Sequence, residues 1–138
     1  MKLEAYYHSD TADSKGINNI PDDETATRCI LFLKYAVEPL ELLFHFKGLV
    51  HHSGFRCLDL NTLLKGQKHS QHLVGNALDF HVEGFSLQET YTIIKNSGLA
   101  FDQLLLEGKG DHQWIHLSYN TDLPATKQRK QALELPNA

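Results

Sequence analysis

A carboxylate in the middle of an apolar segment is the feature that most constrains this chain. Residues 77–82 read Ala-Leu-Asp-Phe-His-Val, a pattern typical of a half-buried strand. Side chains alternate across a strand, so Asp79 and His81 share one face and their apolar neighbours share the other. Because an unpaired carboxylate is costly at a buried position, Asp79 requires a cation or several hydrogen-bond donors. A bound metal ion and a buried ion pair, for example with Arg56, are the two alternatives.

Two histidines complete a set of candidate metal ligands with Asp79. His72 precedes it across a Gly-containing turn, and His116 lies on a second strand-like segment, residues 114–119. If these strands pair, Asp79 and His116 meet on one face, and His72 approaches from the turn. Two imidazoles and a carboxylate form a ligand set for hydrolytic zinc, which keeps a fourth position open for water. The pattern indicates a hydrolase with one zinc ion per chain, and His81 is either a rival ligand or a residue that orients Asp79.

Composition places the chain among ordinary single-domain proteins. Its 138 residues suffice for one core, and 41% hydrophobic with 22% charged residues is typical of globular domains. The formal net charge of −4 does not favour a nucleic-acid partner, and the basic cluster at 127–130 is interpreted as solvated. No segment approaches the roughly 18 apolar residues of a membrane helix, and the N-terminus lacks the apolar core of a secretory signal. We therefore expect a cytoplasmic protein without a membrane partner, with Cys29 and Cys57 as free, buried or partly buried thiols.

The order of predicted elements indicates an α+β fold. Apolar residues recur at helical spacing over residues 25–44, where Pro39 can introduce a kink or a break. Strands are predicted at 49–52, 77–82, 101–106 and 114–119, and shorter helices at 58–65 and 86–96. We expect a small, mostly antiparallel sheet with helices packed on one face and the zinc site on the open face. One domain would span residues 1–120, followed by a polar tail at 121–138.

Several motifs resemble those of the zinc D-alanyl-D-alanine carboxypeptidase family (peptidase family M15), in its small single-domain form found in bacterial and phage proteins. The central match is S-x-H-x-x-G-x-A-x-D at residues 70–79, followed by W-x-H-x-S at residues 114–118. Ser-Gly-Phe-Arg at 53–56 and Phe-Asp-Gln-Leu at 101–104 are similar to two further stretches of the family. The resemblance covers about residues 3–119 and implies a Hedgehog/DD-peptidase-like fold.

The resemblance also implies an activity, a cofactor and site residues. The activity is hydrolysis of peptidoglycan stem peptides at or near a D-alanine, with zinc held by the two histidines and Asp79. Arg56 would anchor the substrate near its carboxylate or the developing oxyanion, and Ser70 and Trp114, fixed positions of the central motifs, are further substrate-binding candidates. The protein would act as a monomer, in cytoplasmic recycling, or on the cell wall after holin-type release or as a virion component.

One position departs from the family pattern. Many relatives carry a Glu or Asp general base three residues before the last His ligand, where this chain has Gln113. A neutral amide cannot take a proton from water. The resemblance implies Glu107 as the base, because the small single-domain relatives often carry a Glu at this position, and His112 and Asp111 are the alternatives. His81, His112 and Gln113 are also candidates for contacts around the metal ligands. The departure leaves open a catalytically inactive, zinc-containing module that binds muropeptides or has a structural role.

Overall fold

The computed structural model describes residues 1–135, which form six α-helices and five short strands. The α-helices are α1 (Leu3–Tyr7), α2 (Asp10–Ser14), α3 (Asp23–Phe32), α4 (Glu38–Leu43), α5 (Leu58–Leu63) and α6 (Leu87–Asn96). The strands are β1 (Leu49–Ser53), β2 (Ala77–Val82), β3 (Gln103–Lys109), β4 (His112–Ser118) and β5 (Gln131–Glu134). A π-helical segment, Leu33–Val37, joins α3 to α4, and 3₁₀ turns occupy Gln71–Val74 and Ala125–Lys127.

The strands form one sheet in the order β1-β2-β4-β3-β5. Neighbouring strands are antiparallel, except that β3 and β5 run parallel. In the central pair, Asp79 of β2 lies directly opposite His116 of β4, and Leu78 lies opposite Leu117. The sheet confirms the predicted α+β fold, and its register confirms that Asp79 and His116 share a face.

The hydrophobic core lies on the sheet face opposite Asp79. Phe80 and Ile115 are fully buried there, as the alternation along the two strands predicts. Helical segments cover this face with apolar stripes, because burying those stripes removes apolar surface from water. Their buried side chains in the core include Phe32, Ala36, Val37, Leu40, Tyr91 and Ile94. This packing leaves the Asp79 face available for a site.

The long helix predicted over residues 25–44 changes its hydrogen bonding before Pro39. Proline has no N–H, and its ring clashes with the carbonyl four residues earlier in an α-helix. The helix widens over Leu33–Val37, where the Glu38 N–H donates to the Leu33 carbonyl five residues back. The backbone stays right-handed and helical through this segment and continues as α4. Pro39 therefore interrupts the α-helical bonding without ending the helical path.

The C-terminal segment differs from the predicted polar tail. Residues 131–134 form β5, and the Gln131 N–H donates to the Asp102 carbonyl at the edge of β3. The buried side chain of Gln128 supports the preceding loop through bonds to backbone groups of Asn120, Leu123 and Pro124. A short edge strand depends on backbone bonds more than on apolar burial, so the hydrophobic pattern does not indicate it.

The division of the chain at residue 120 stays a prediction, and the last three residues of the predicted tail, 136–138, lie outside the described residues. Within residues 1–135, no helix is long and apolar enough to cross a membrane.

The two cysteines are expected to differ in reactivity. Cys29 is buried in the core and Cys57 is partly buried, and both are free thiols, as predicted. Burial raises the pKa of the Cys29 thiol to about 11. At pH 8 its thiolate fraction is then roughly one in a thousand, so native protein should react rapidly with one equivalent of a chromogenic disulfide reagent and denatured protein with two. Cys57→Ser should abolish the rapid phase, and rapid loss of both thiols in native protein would contradict this packing.

Candidate metal centre

The three predicted metal ligands meet on the open face of the sheet. Asp79 Oδ1 lies 2.9 Å from His116 Nδ1, and Asp79 Oδ2 lies 3.2 Å from His72 Nε2. One candidate ligand atom from each residue lies within 4.8 Å of the other two, and all three residues are buried. Strand pairing explains two of the positions, because Asp79 and His116 are direct partners in β2 and β4.

His72 reaches the cluster from the 3₁₀ turn that precedes β2. Ser70 caps this turn, since its Oγ accepts a hydrogen bond from the His72 N–H at 3.2 Å. Gly75 ends the turn in a left-handed conformation (φ +77°), and a Cβ there would lie only 2.6 Å from Cys29 Sγ on α3. Both the backbone and the close packing of the turn on α3 therefore require glycine.

Both imidazoles are oriented by hydrogen bonds that point away from the cluster. His72 Nδ1 donates to the Gly54 carbonyl at 2.6 Å, which leaves its Nε2 facing Asp79. His116 Nε2 donates to Gln71 Oε1 at 2.8 Å, which leaves its Nδ1 facing Asp79. Metal-bound histidines commonly donate their other ring N–H to a fixed acceptor in this way.

This arrangement fits a zinc ion. Imidazole nitrogens that face a carboxylate at 2.9 and 3.2 Å require a cation between the groups, either protons on the rings or a metal ion. Around tetrahedral zinc with bonds of ~2.0–2.1 Å, neighbouring ligand atoms are ~3.3 Å apart, close to the two separations between Asp79 and the histidines. His72, Asp79 and His116 can therefore hold a metal ion.

Asp79 also forms the buried ion pair that was the alternative to a metal. Arg56 Nη2 donates to Asp79 Oδ2 at 3.2 Å. Burial alone would raise the pKa of the Asp79 carboxyl, but His72 and His116 outweigh burial and hold that pKa well below its usual range. Asp79 is therefore charged at neutral pH. The two alternatives are compatible, because a carboxylate has about four lone-pair sites and can serve Arg56 and a metal together.

Three hydrogen bonds to neighbouring side chains hold the guanidinium of Arg56 in place. Its Nε donates to Ser53 Oγ at 2.8 Å and its Nη1 donates to Asn61 Oδ1 at 3.2 Å, in addition to the bond with Asp79. Its side chain is only 13% exposed. A guanidinium has five N–H groups, so two remain for a substrate. Arg56 thus orients Asp79 through the ion pair that the sequence offered as one alternative for this carboxylate.

Glu107 lines a cleft of about 890 Å³ that also contains the three clustered residues in its wall. Its Oε1 lies 3.8 Å from His116 Nδ1, and its side chain is 26% exposed. Burial raises the pKa of Glu107 above its usual value. Glu107 therefore combines contact with the cluster and access to the cleft, which are the geometric requirements for a general base.

The remaining candidates for the base and for substrate binding, together with Gln113, line the same cleft. Asp111, His112 and Gln113 are exposed at the β3–β4 hairpin. Ser70 and Trp114 line the cleft as well, and Trp114 Nε1 is buried without a hydrogen-bond partner among residues 1–135. The cleft thus gathers every residue that the motifs indicated as substrate-binding, but only Glu107 among the acidic candidates contacts the cluster.

Contacts around the cluster differ from the sequence prediction at two points. His81 shares a hydrogen bond with His52, with 2.6 Å between His81 Nδ1 and His52 Nε2, and forms none with Asp79 among the described residues. Gln71, which the sequence analysis did not select, binds His116 and also donates to Asp102 Oδ2 at 2.7 Å. Gln71 and Asp102 both lie inside quoted motifs, but a motif does not reveal a bond between residues so far apart.

Residues 8–118 match the family model of peptidase M15. The chain belongs to the peptidase M15 family. Membership confirms the resemblance found in the motifs and assigns the chain to a family of metallopeptidases, which are hydrolases. Members are zinc enzymes, in agreement with a donor set that can hold a metal ion. No curated protein matches the chain.

Removing Arg56 should destabilise the metal-free protein through Asp79. Breaking a buried pair by removing one partner typically costs 3–5 kcal/mol, so we expect Arg56→Leu to lower the free energy of unfolding by about 3 kcal/mol in chelator. Glu24→Gln is the control, because it removes the charge of an 86% exposed carboxylate that pairs with Arg28, and it should lose under about 1 kcal/mol. Urea unfolding measures the free energy of unfolding of both variants. Equal losses would show that the buried Arg56–Asp79 contact contributes no more to stability than the exposed pair.

Proposed function

We propose that this protein is a zinc-dependent peptidase that hydrolyses D-alanine-containing peptide bonds of peptidoglycan stems. Membership of the peptidase M15 family supports a zinc peptidase that acts on cell-wall peptides. The observation that carries the proposal is the convergence of His72, Asp79 and His116, with both imidazoles tied outward by bonds on their other nitrogens. The choice of D-alanine derives from the motif resemblance, and carboxypeptidase and endopeptidase actions are both compatible with it.

Zinc held by these residues would lower the pKa of a water ligand toward ~7 and polarise the scissile carbonyl. In this proposal Glu107 is the general base: its Oε1 takes a proton from the attacking water and delivers it to the nitrogen of the leaving amine. Burial supports this role, because a raised pKa lets the Glu107 carboxyl hold the proton between the two transfers. The 3.8 Å between its Oε1 and His116 Nδ1 places Glu107 beside the ligand set.

Three further residues are proposed to position the substrate. The two remaining N–H groups of Arg56 can bind a carboxylate or the carbonyl oxygen that gains charge during hydrolysis. Ser70 retains its hydroxyl hydrogen for a substrate oxygen, because its Oγ serves as acceptor in the cap of the 3₁₀ turn. Trp114 supplies an apolar wall to the cleft.

A second candidate function is a zinc-containing module that binds muropeptides or has a structural role, without catalysis. Gln113 favours it, because this amide stands where many relatives carry the acidic base and it lies exposed in the cleft wall. The position of Glu107 favours the enzyme, because a carboxylate beside the cluster can replace the missing base.

Digestion of purified peptidoglycan tests the peptidase. Zinc-loaded protein should release products that mass spectrometry detects and that a chelator abolishes. Free D-alanine would identify a carboxypeptidase, and released stem or cross-linked peptides an endopeptidase. Asp79→Asn is the matched control, because it should lose zinc and products together. A zinc-replete protein that binds muropeptides and releases nothing would contradict the peptidase and favour the module.

Replacing the proposed base should separate metal binding from turnover. Glu107→Gln keeps the size of the side chain but cannot accept a proton, so we expect zinc to remain stoichiometric while kcat falls by roughly 10²–10⁴-fold. Asp111→Asn, at the exposed hairpin of the same cleft, is the control and should retain activity. Full activity in Glu107→Gln, or a comparable loss in Asp111→Asn, would remove Glu107 from the role.

A further inference from the structure

A series of side-chain hydrogen bonds connects the metal centre to the part of the chain beyond the family match. It runs from His116 through Gln71 and Asp102 to Arg129, which precedes β5. We propose that Gln71, Asp102 and Arg129 are positioning residues that hold His116 in the tautomer and ring orientation needed to bind zinc. This inference rests on the proposed zinc site and extends it to a segment outside residues 8–118.

Gln71 determines which nitrogen of His116 carries the proton. Because Gln71 Oε1 lies 2.8 Å from His116 Nε2 and can only accept, Nε2 carries the proton and Nδ1 of a neutral ring keeps its lone pair toward Asp79. If the amide turned over, its NH₂ group would face Nε2 and favour the tautomer with the proton on Nδ1. That proton would occupy the lone pair that a metal ion requires.

Asp102 determines the orientation of the Gln71 amide. Gln71 Nε2 donates to Asp102 Oδ2 at 2.7 Å. A carboxylate only accepts hydrogen bonds, so it selects the orientation in which the NH₂ group faces Asp102 and the carbonyl oxygen faces His116. Through the neutral amide, the carboxylate of Asp102 therefore determines the tautomer and orientation of the imidazole, and no charge lies directly against the ring.

Arg129 holds Asp102 in turn. Its Nε and Nη2 donate to the two carboxylate oxygens at 2.8 and 3.2 Å, a bidentate pairing that suits the planar guanidinium. Backbone pairing brings the two residues together, because the Lys130 N–H donates to the Phe101 carbonyl and the Gln131 N–H to the Asp102 carbonyl. The Asp102 side chain is 16% exposed and that of Arg129 is 53% exposed. Arg129 is therefore the outer end of the series of hydrogen bonds from His116 through Gln71 and Asp102, which we call the relay.

Zinc affinity tests the relay without reference to turnover. Changes to residues that orient metal ligands typically weaken metal binding by ~10–100-fold, so we expect this range for Gln71→Leu and on the order of 10-fold for Arg129→Gln. Competition with a chromogenic chelator measures the zinc Kd. The visible spectrum of the cobalt-substituted protein reports ligand geometry, and it should change in both variants.

Rebuilding the relay with its polarity exchanged distinguishes positioning from simple packing. Gln71→Glu alone brings two carboxylates together and should weaken zinc binding. In the double variant Gln71→Glu, Asp102→Asn, the introduced amide can donate to the introduced carboxylate, which still accepts from His116. The amide oxygen keeps the bond from Arg129 Nε, whereas the bond from Arg129 Nη2 to the other oxygen is lost. We expect the double variant to recover part of the zinc affinity that the single variant loses.

Two control variants lie in the same segment. Lys127→Gln removes an exposed charge close to Arg129 in sequence, and Gln128→Ala removes the bonds that support the loop. Both should bind zinc like wild type, and Gln128→Ala should lower only the melting temperature. The proposal is overturned if Gln71→Leu and Arg129→Gln retain wild-type zinc affinity and cobalt spectra, or if Gln128→Ala weakens zinc binding as much as they do.

The outcomes also separate this inference from the proposed function. Wild-type protein that binds no zinc would overturn both the zinc site and the relay. Wild-type protein that binds zinc but cleaves no peptidoglycan would overturn the peptidase alone, while the order of zinc affinities among the variants would still support the relay.

Discussion

The pairing of β2 with β4 is the constraint on which the rest of the site depends. It places Asp79 opposite His116 on one face and Phe80 opposite Ile115 on the other. A slip of one residue would turn Asp79 into the apolar core and expose Phe80, so core burial and the metal centre specify the same register. The same alternation of side chains makes the sheet amphipathic and brings the candidate ligands Asp79 and His116 together, so the site forms as the sheet forms.

The cluster is preorganised by contacts on its outer side. His72 is bound by the Gly54 carbonyl, and Arg56 is bound by Ser53 and Asn61. Each of these bonds uses a polar atom that does not face Asp79 and fixes the rotamer of the side chain that does. Holding a carboxylate and its partners in a buried geometry costs desolvation energy during folding. That cost is met before a metal arrives, so binding requires little further ordering of side chains.

The sequence predicts the site correctly where strand alternation or a motif determines which residues lie together. Strand alternation placed Asp79 and His116 on one face, and the motif around His72 identified the third candidate. It failed for β5, whose residues 131–134 pair through backbone groups that every sequence possesses. It also failed for the bonds of Gln71, because an amide can serve many partners and only the tertiary fold selects among them. The sequence predicts a kink or a break at Pro39, whereas the helix widens over Leu33–Val37 and continues as α4.

The basic cluster at 127–130 shows why residue type matters at the outer end of the relay. The sequence favours a solvated tail for this cluster, and the structure adds that Arg129 binds both oxygens of Asp102. Lysine offers a point charge and would not fix the rotation of a carboxylate as a planar fork does. A cation placed directly against His116 would compete with the metal, because like charges repel strongly where burial excludes water. The amide of Gln71 between them avoids this repulsion, so the fold can orient the imidazole firmly. Within residues 1–135, Arg56 is the one permanently charged side chain that donates to Asp79.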